Sequence, residues 1–393
     1  MTGLTSPIEF GWHLPTSGDG RYIGVPSERS ASLDYLVEVS REAEAAGFEF
    51  ILIPTGGACI DAWIVGSMIA SQTTSLKPLV AARPGLIAPV LAARMGASLD
   101  TLSGGRALIN IVTGGNPADL KATGDPLYDD HDGRYERTRE FVRIMKQVWD
   151  SDSSTLSSAR DNSEPGVHYK GRYYEINGGI CQPLPVQRPH PPIYFGGSSP
   201  AGKQAAAEIA DVYLMWAEPI DMIREQIAEM ESYLRQYQEM SGTRRTLRYG
   251  LRAQLVVRQA SEEAWQAAWD ILRYVDDSTL RTSERQQSRI VASNQERQTR
   301  LWKSSVDNDF VIGPNLWAGL ASVRTGGSIA IVGNPEEVSD RILEYMDTGI
   351  TSFILSGYPH LEEARIAGQL LLPLLKRKIA ERAKAGHTTQ IIR

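Results

Sequence analysis

The chain has 393 residues, 42% of them hydrophobic and 22% charged, with a net charge of −6 at pH 7. That balance excludes a basic nucleic-acid binder and a cationic membrane-surface protein, so neither nucleic acid nor membrane is an expected partner. Two cysteines make no disulfide framework, no apolar run reaches the ~18 residues of a membrane span, and MTGLTSPIEFGW carries no basic-then-apolar leader, so a cytoplasmic protein is expected.

In chain order the pattern is strand, polar turn, helix, repeated. IEFGWHLP (8–15) reads as a strand and SLDYLVEVSREAEAAG (32–47) as an amphipathic helix closed by glycine. FEFILIP (48–54) precedes the helix DAWIVGSMIASQ (61–72), and LKPLVAARP (76–84) precedes PVLAARMGASLDTLSG (89–104). RALINIVTG (106–114) precedes YERTREFVRIMKQVWD (135–150). PPIYFGG (191–197), DVYLMWAEP (211–219) with its long helix, LRYGLRAQLVVR (247–258) and SFILSGYP (352–359) complete eight strands. The strands are nearly continuous apolar runs, as parallel strands covered on both faces require. Eight such units predict one (β/α)8 TIM barrel over residues 1–393, with insertions at about 115–134, 151–190 (a hairpin around VHYKGRYYEI) and 259–327 (two helical segments). A Rossmann sheet would carry Gly-x-Gly-x-x-Gly after its first strand, and WHLPTSGDGRYIG does not.

Several stretches carry chemistry. Gly196-Gly197-Ser198-Ser199 ends the fifth strand and opens a helix, which makes it either a phosphate cradle or a plain serine cap. His131 and Tyr135, four apart at a helix entrance, either share a ligand-facing side or are a surface and a core residue. Polar residues cluster at strand ends: His13 and Ser17, Cys59, Asn110 and Thr113, Trp216 and Glu218, Arg252 and Gln254, Tyr358 and His360. An arginine inside YGLRAQLVV needs an anion, supplied either by a ligand or by a carboxylate such as Glu218. Arg324 lies in the glycine-rich SVRTGGSIAIVG, which suits a lid over an anionic ligand or a mobile surface loop. Cys59, just before a helix, is a minor candidate for a stabilised thiolate. The six histidines have no metal-ligand spacing, so no metal is expected.

IPTGGACIDAW (53–63), RALINIVTGGNP (106–117), PPIYFGGSS (191–199), PNLWAGLASVRTGG (314–327) and SGYPHLEEA (356–364), in this order, resemble the flavin-dependent alkanesulfonate monooxygenases of the bacterial luciferase-like group. The resemblance implies a TIM barrel using FMN, delivered reduced by a separate NAD(P)H-dependent flavin reductase, with O2 as co-substrate. An organosulfonate would be oxygenated and its C–S bond cleaved to an aldehyde and sulfite, by a homodimer or homotetramer. It implies that Gly196, Gly197, Ser198 and Ser199 hold the FMN phosphate, and that His131, Tyr135, Asn110 and Thr113 contact the cofactor. Cys59, Arg252, Arg324, Tyr358 and His360 are the carried-over site residues. Arg252 and Arg324 would clamp the sulfonate beside Trp216. The sequence departs from the family at Gln254, where a histidine is expected, and at His13 and Ser17, where an aromatic residue and a histidine are expected. Either His13 replaces the lost imidazole, or the substrate differs: a polar sulfonate such as sulfoquinovose, or an amine, heterocycle or alkane. A deazaflavin-dependent reductase and a non-catalytic flavin-binding protein are the further alternatives.

Overall fold

The computed structural model describes residues 7–151 and 165–385. Part of the 151–190 insertion and the first six residues of the leader reading lie outside the described residues. The strands are β1 (Glu9–His13), β2 (Phe50–Ile53), β3 (Lys77–Ala82), β4 (Leu108–Ile111), β5 (Val167–Lys170), β6 (Glu175–Gly179), β7 (Ile193–Phe195), β8 (Val212–Trp216), β9 (Arg248–Val257), β10 (Val311–Gly313), β11 (Leu316–Trp317), β12 (Ala330–Gly333) and β13 (Ile350–Ser356). Eight of them, in the order β1-β2-β3-β4-β7-β8-β9-β13, form a parallel sheet that closes where β13 pairs with β1, Phe10 opposite Phe353. The TIM barrel expected from the sequence is therefore the fold, and its eight strands are the eight expected.

The apolar runs are continuous because each strand buries both faces. Ile51, Val80, Ile109, Phe195, Leu251 and Phe353 belong to the core beneath the helices, whereas Phe50, Leu52, Leu79, Leu108, Tyr194, Val212 and Ile354 fill the barrel interior. Gly11 makes room inside: a Cβ there would lie 2.2 Å from the Phe50 ring. The barrel helices begin at side-chain caps, such as Ser32 before α1 (Leu33–Ala46) and Asp61 before α2 (Ala62–Gln72). Next come α3 (Pro89–Ser103), α4 (Pro117–Ala122) and α5 (His131–Asp150), then α6 (Pro200–Ile209) and α7 (Ile220–Ser241).

Three details differ from the sequence reading. Helix α5 starts at His131, capped by Asp130, so the 115–134 insertion contains α4 and the first turn of α5. The 259–327 segment holds three helices, α8 (Ser261–Ile271), α9 (Asp277–Gln287) and α10 (Ser293–Ser304), followed by the β10–β11 hairpin. Beyond it, IAIVG is β12, not loop, and pairs in parallel with β9 outside the closed ring. Helix α11 (Pro335–Asp347) then returns the chain to β13 behind an Asn334–Glu337 capping box. Helices α12 (His360–Ile366) and α13 (Leu372–Lys384) end the described chain. No helix among the described residues is long and apolar enough to cross a membrane.

Candidate active site

Alternation along each strand decides which residues face the barrel interior. On β1 these are Glu9, Gly11 and His13; on β9, Arg248, Gly250, Arg252 and Gln254; on β13, Ser352, Ile354 and Ser356. At the N-terminal end, Arg248 meets Glu9 at 2.9 Å, and the Tyr194 hydroxyl donates to the same carboxylate. At the C-terminal end, where barrels place their chemistry, the same strands present His13, Arg252 and Ser356.

The fifth strand ends in Gly196-Gly197-Ser198-Ser199. Ser199 caps α6, its hydroxyl accepting the Gly202 N–H at 3.2 Å, as the plain-cap reading requires. The neighbouring Ser198 is different: its Oγ is buried and has no hydrogen-bond partner among the described residues. Gly197 and Gly202 touch closely, and a Cβ on Gly197 would lie 3.1 Å from the Tyr135 ring. Tyr135 stands edge-on to His131, ring centroids 5.1 Å apart, so the turn, Tyr135 and His131 form one wall. The spare Ser198 hydroxyl and the close glycine approach at a helix N-terminus make a candidate cradle for a phosphate.

Only β8 separates this cradle from Arg252 on β9, about 10 Å at the usual strand spacing. The Arg252 guanidinium donates to Ser356 Oγ at 2.8 Å, and its stem packs on Gly327, where a Cβ would sit 2.7 Å away. It has no carboxylate partner among the described residues. Glu218, one possible counter-ion, is instead held by Arg297 of α10 at 2.8 Å and by Gln226 at 2.9 Å. Arg324 reaches the same pocket, bonded to the Tyr358 hydroxyl and stacked on its ring with no ion-pair partner among the described residues. Burial, then the field of Arg324, pulls the Arg252 pKa below its ordinary value, yet a guanidinium remains a cation at neutral pH. Burial and the fields of Arg252, His360 and Arg324 hold His13 well below the usual histidine range, so it is neutral. Its Nδ1 is buried and lacks a partner among the described residues. His13, His360 and Tyr358 form a ring cluster, with centroids 5.5 Å and 5.2 Å apart.

Asp19, not singled out in the sequence, stands behind His360. Its carboxylate meets Nδ1 at 2.8 Å, accepts the His360 N–H at 2.7 Å and accepts the Tyr35 hydroxyl. Burial pushes the Asp19 pKa up, but these bonds outweigh it and hold Asp19 below the usual carboxylate range. The contact fixes the imidazole's orientation and directs Nε2 away from Asp19. The clue in sequence was Gly-Asp-Gly directly after the first strand. Ser356 was also missed, although it shares the inward parity of Ser352 and Ile354.

The remaining candidates separate. Trp216 packs against Gly327 beside Arg252, and Asn110 points inward on β4, where its amide has no hydrogen-bond partner among the described residues. Thr113 is buried in the loop leaving β4. Gln254 does not line the pocket: it is 1% exposed, accepts from Ser356 at 2.6 Å and donates to the Gly327 carbonyl at 3.0 Å. Cys59 lies in the loop after β2, but the α2 N-terminus is taken by Asp61, which accepts from Trp63 and Ile64, so the helix end does not stabilise a thiolate there. Ser17 is exposed. The segment around Arg324, expected as a lid or a mobile surface loop, is partly packed: Leu320, Ala321 and Ser322 are buried in a short 3-10 turn, and residues 323–326 are half-buried.

The fold and this constellation define a (β/α)8 barrel whose C-terminal end sets a candidate phosphate cradle beside a pocket with two arginines. The luciferase-like monooxygenase profile matches residues 8–352, and the chain belongs to that family. Among solved structures it is similar to a riboflavin lyase bound to modified FMN and riboflavin (21% identity, TM-score 0.72, 95% of this chain and 92% of that one). It is also similar to EDTA monooxygenase from Chelativorans sp. BNC1 (19%, 0.71, 95% and 94%) and to a long-chain alkane monooxygenase (18%, 0.70, 95% and 92%).

Proposed function

We propose that the protein is a reduced-FMN-dependent monooxygenase that cleaves the C–S bond of an organosulfonate. The observation that carries this reading is a pocket holding two guanidiniums, Arg252 and Arg324, with a neutral imidazole and no carboxylate counter-ion among the described residues. Uncompensated buried cations are costly unless an anion arrives, and a sulfonate offers three acceptor oxygens to two donor forks.

The cofactor fits the residues present. The spare Ser198 hydroxyl and the Gly197–Gly202 approach suit the FMN phosphate, with Tyr135 and His131 alongside. Asn110 and Thr113 would border the ring. When bound, the reduced flavin, supplied by a separate NAD(P)H-dependent reductase, provides two electrons to activate O2. One oxygen atom enters the aldehyde and the other leaves as water. The sulfonate departs as sulfite, and one proton is released.

The chain's own residues bind and orient. Arg252 and Arg324 hold the sulfonate oxygens, and Tyr358 donates a hydrogen bond at the mouth. Neutral His13 accepts the substrate proton, while His360 is oriented by Asp19. Trp216 and Gly327 close the wall against water. Gln254 acts through Ser356 rather than on substrate. The inward top layer sets polar His13 near the arginines, which favours a polar or sugar sulfonate over a long alkyl one.

The test is sulfite release from a sulfonate panel under air, with NADH, FMN and a flavin reductase. Sulfite and aldehyde in equal amounts are expected, with none formed anaerobically. Oxygen-independent turnover would instead mark a deazaflavin-type reductase, and oxidation confined to amines or alkanes would remove the sulfonate from this reading.

A further inference from the structure

Three buried glutamines converge on three consecutive residues of one loop. Gln295 Oε1 accepts the Gly326 N–H at 3.1 Å, and Gln298 Oε1 accepts the Ser328 N–H at 3.2 Å. From the opposite side, Gln254 Nε2 donates to the Gly327 carbonyl at 3.0 Å. The three are 2%, 1% and 1% exposed, so water does not compete for these bonds. Two come from insertion helix α10 and one from barrel strand β9.

Two of the three glutamines are anchored to the barrel or to the pocket, and Gln295 is held within α10 by Thr299 at 3.5 Å. Gln298 Nε2 donates to the Ala217 carbonyl at 3.0 Å, and the adjacent Arg297 grips buried Glu218, which fixes α10 on the end of β8. Gln254 accepts from Ser356, which itself accepts from Arg252. A continuous chain thus runs from the Arg252 guanidinium through Ser356 and Gln254 to the loop carrying Arg324. Every link is neutral apart from the arginine itself. A carboxylate at position 254 would hold Ser356 equally well, but it would set a negative charge in the Arg252 layer. An amide keeps the geometry and leaves the positive field intact.

We infer that Gln254, Gln295 and Gln298 are positioning residues that hold the Arg324 loop in register with Arg252, so that both guanidiniums meet one anionic group. This rests on the anion-pocket reading above and makes the 259–327 insertion a structural part of that pocket. The loop is a fixed wall, held by α10 on one hand and by β9 on the other.

The test uses the full chain and two readouts. Amide hydrogen exchange across residues 324–328 is measured in the wild type, in a Gln295→Ala/Gln298→Leu double variant and in Gln254→Ala. The wild-type loop amides should exchange slowly, and in each variant at least tenfold faster, with barrel-strand amides unchanged. Inorganic sulfate is then added at fixed ionic strength against chloride. Sulfate should raise the wild-type melting temperature and do so markedly less in the variants. Gln298→Glu, which keeps the acceptor for the Ser328 N–H, should restore slow exchange at that amide. Unchanged loop exchange in both the double variant and Gln254→Ala would overturn the proposal, as would full sulfate stabilisation in a variant whose loop exchanges fast. If sulfate fails to stabilise even the wild type, the anion pocket falls, and with it the claim that the loop's register serves a shared anion. The exchange data then decide separately whether the glutamines hold the loop at all. If the double variant does not fold, Gln254→Ala alone decides the outcome from the barrel side.

Discussion

The two ends of the barrel are built from the same two strands and differ in one respect. At the N-terminal end, β1 and β9 set Glu9 against Arg248, a cation with its counter-ion 2.9 Å away. Four residues further along each strand, His13 and Arg252 occupy the equivalent inward positions, and no carboxylate faces them among the described residues. The first end closes the barrel. The second leaves charge unsatisfied, which on the proposed reading an incoming anion would complete. Stability and function are thus separated by about 13 Å along a strand.

The largest expected effect is at the open end. Arg252→Ala should lower kcat/KM for a sulfonate by about 10²–10³-fold, roughly 3–4 kcal/mol of lost charge-assisted binding. Its thermal stability should stay level or rise, because an uncompensated buried charge is gone. Steady-state kinetics beside a melting curve checks both. An active variant would erase the contrast between the two ends.

Arg248→Ala should do the reverse. Glu9 would be left buried with only Tyr194, and urea unfolding should report a loss of about 2–3 kcal/mol. That is less than for a fully buried pair, because Arg248 keeps a quarter of its side chain in water. Its kcat should remain within about twofold. A stable Arg248→Ala chain with crippled turnover would mean that the closed end also serves the chemistry.

Much of this was legible in the sequence and some was not, for definite reasons. The eight barrel strands stood out because two-sided burial makes continuous apolar runs. The turn at 196–199 and Arg252 stood out because glycines, serines and arginines are out of place in such runs, Tyr135 because it lies four residues from His131 at a helix entrance, and Arg324 because it is the one cation of a glycine-rich stretch. Strand β12 was hidden because its four residues follow a glycine-rich loop and lie outside the barrel repeat. Gln254 passed for a pocket residue because its partners, Ser356 and Gly327, are 102 and 73 residues away. Glu218 stayed open as an alternative counter-ion of Arg252 because its partner, Arg297, comes from an insertion helix 79 residues on. Local pattern reports burial and turns; it does not report which distant group satisfies a buried polar atom.

Asp19→Asn probes the open end from behind. The Asp19 carboxylate has a folded pKa below its ordinary value, so its contribution to stability is present above about pH 4 and is lost as pH falls through the folded pKa. The variant should be less stable than wild type by roughly 1–2 kcal/mol at pH 7, with the gap closing on acidification below about pH 4. A gap that stays constant down to pH 2 would show that the charge is not what Asp19 contributes.

The smallest effect near neutral pH is at His13, and it sharpens the comparison most. Its folded pKa lies well below 6.5, because it is buried beside two guanidiniums and His360. As pH falls below about 6.5, the unfolded chain takes a proton that the folded chain refuses, so stability should decline by up to about 1.4 kcal/mol per pH unit. In His13→Gln this part of the acid slope should vanish while stability at pH 7.5 is nearly unchanged. Sulfate should also flatten the slope in part in the wild type, because burial still disfavours the charged ring but an anion between the arginines removes the repulsion that adds to it. Urea titrations at pH 5, 6 and 7.5, with and without sulfate, separate these cases. Equal slopes for both proteins would mean that His13 exchanges protons freely with water, and the open end would then lack the cationic field that distinguishes it from the Glu9–Arg248 end.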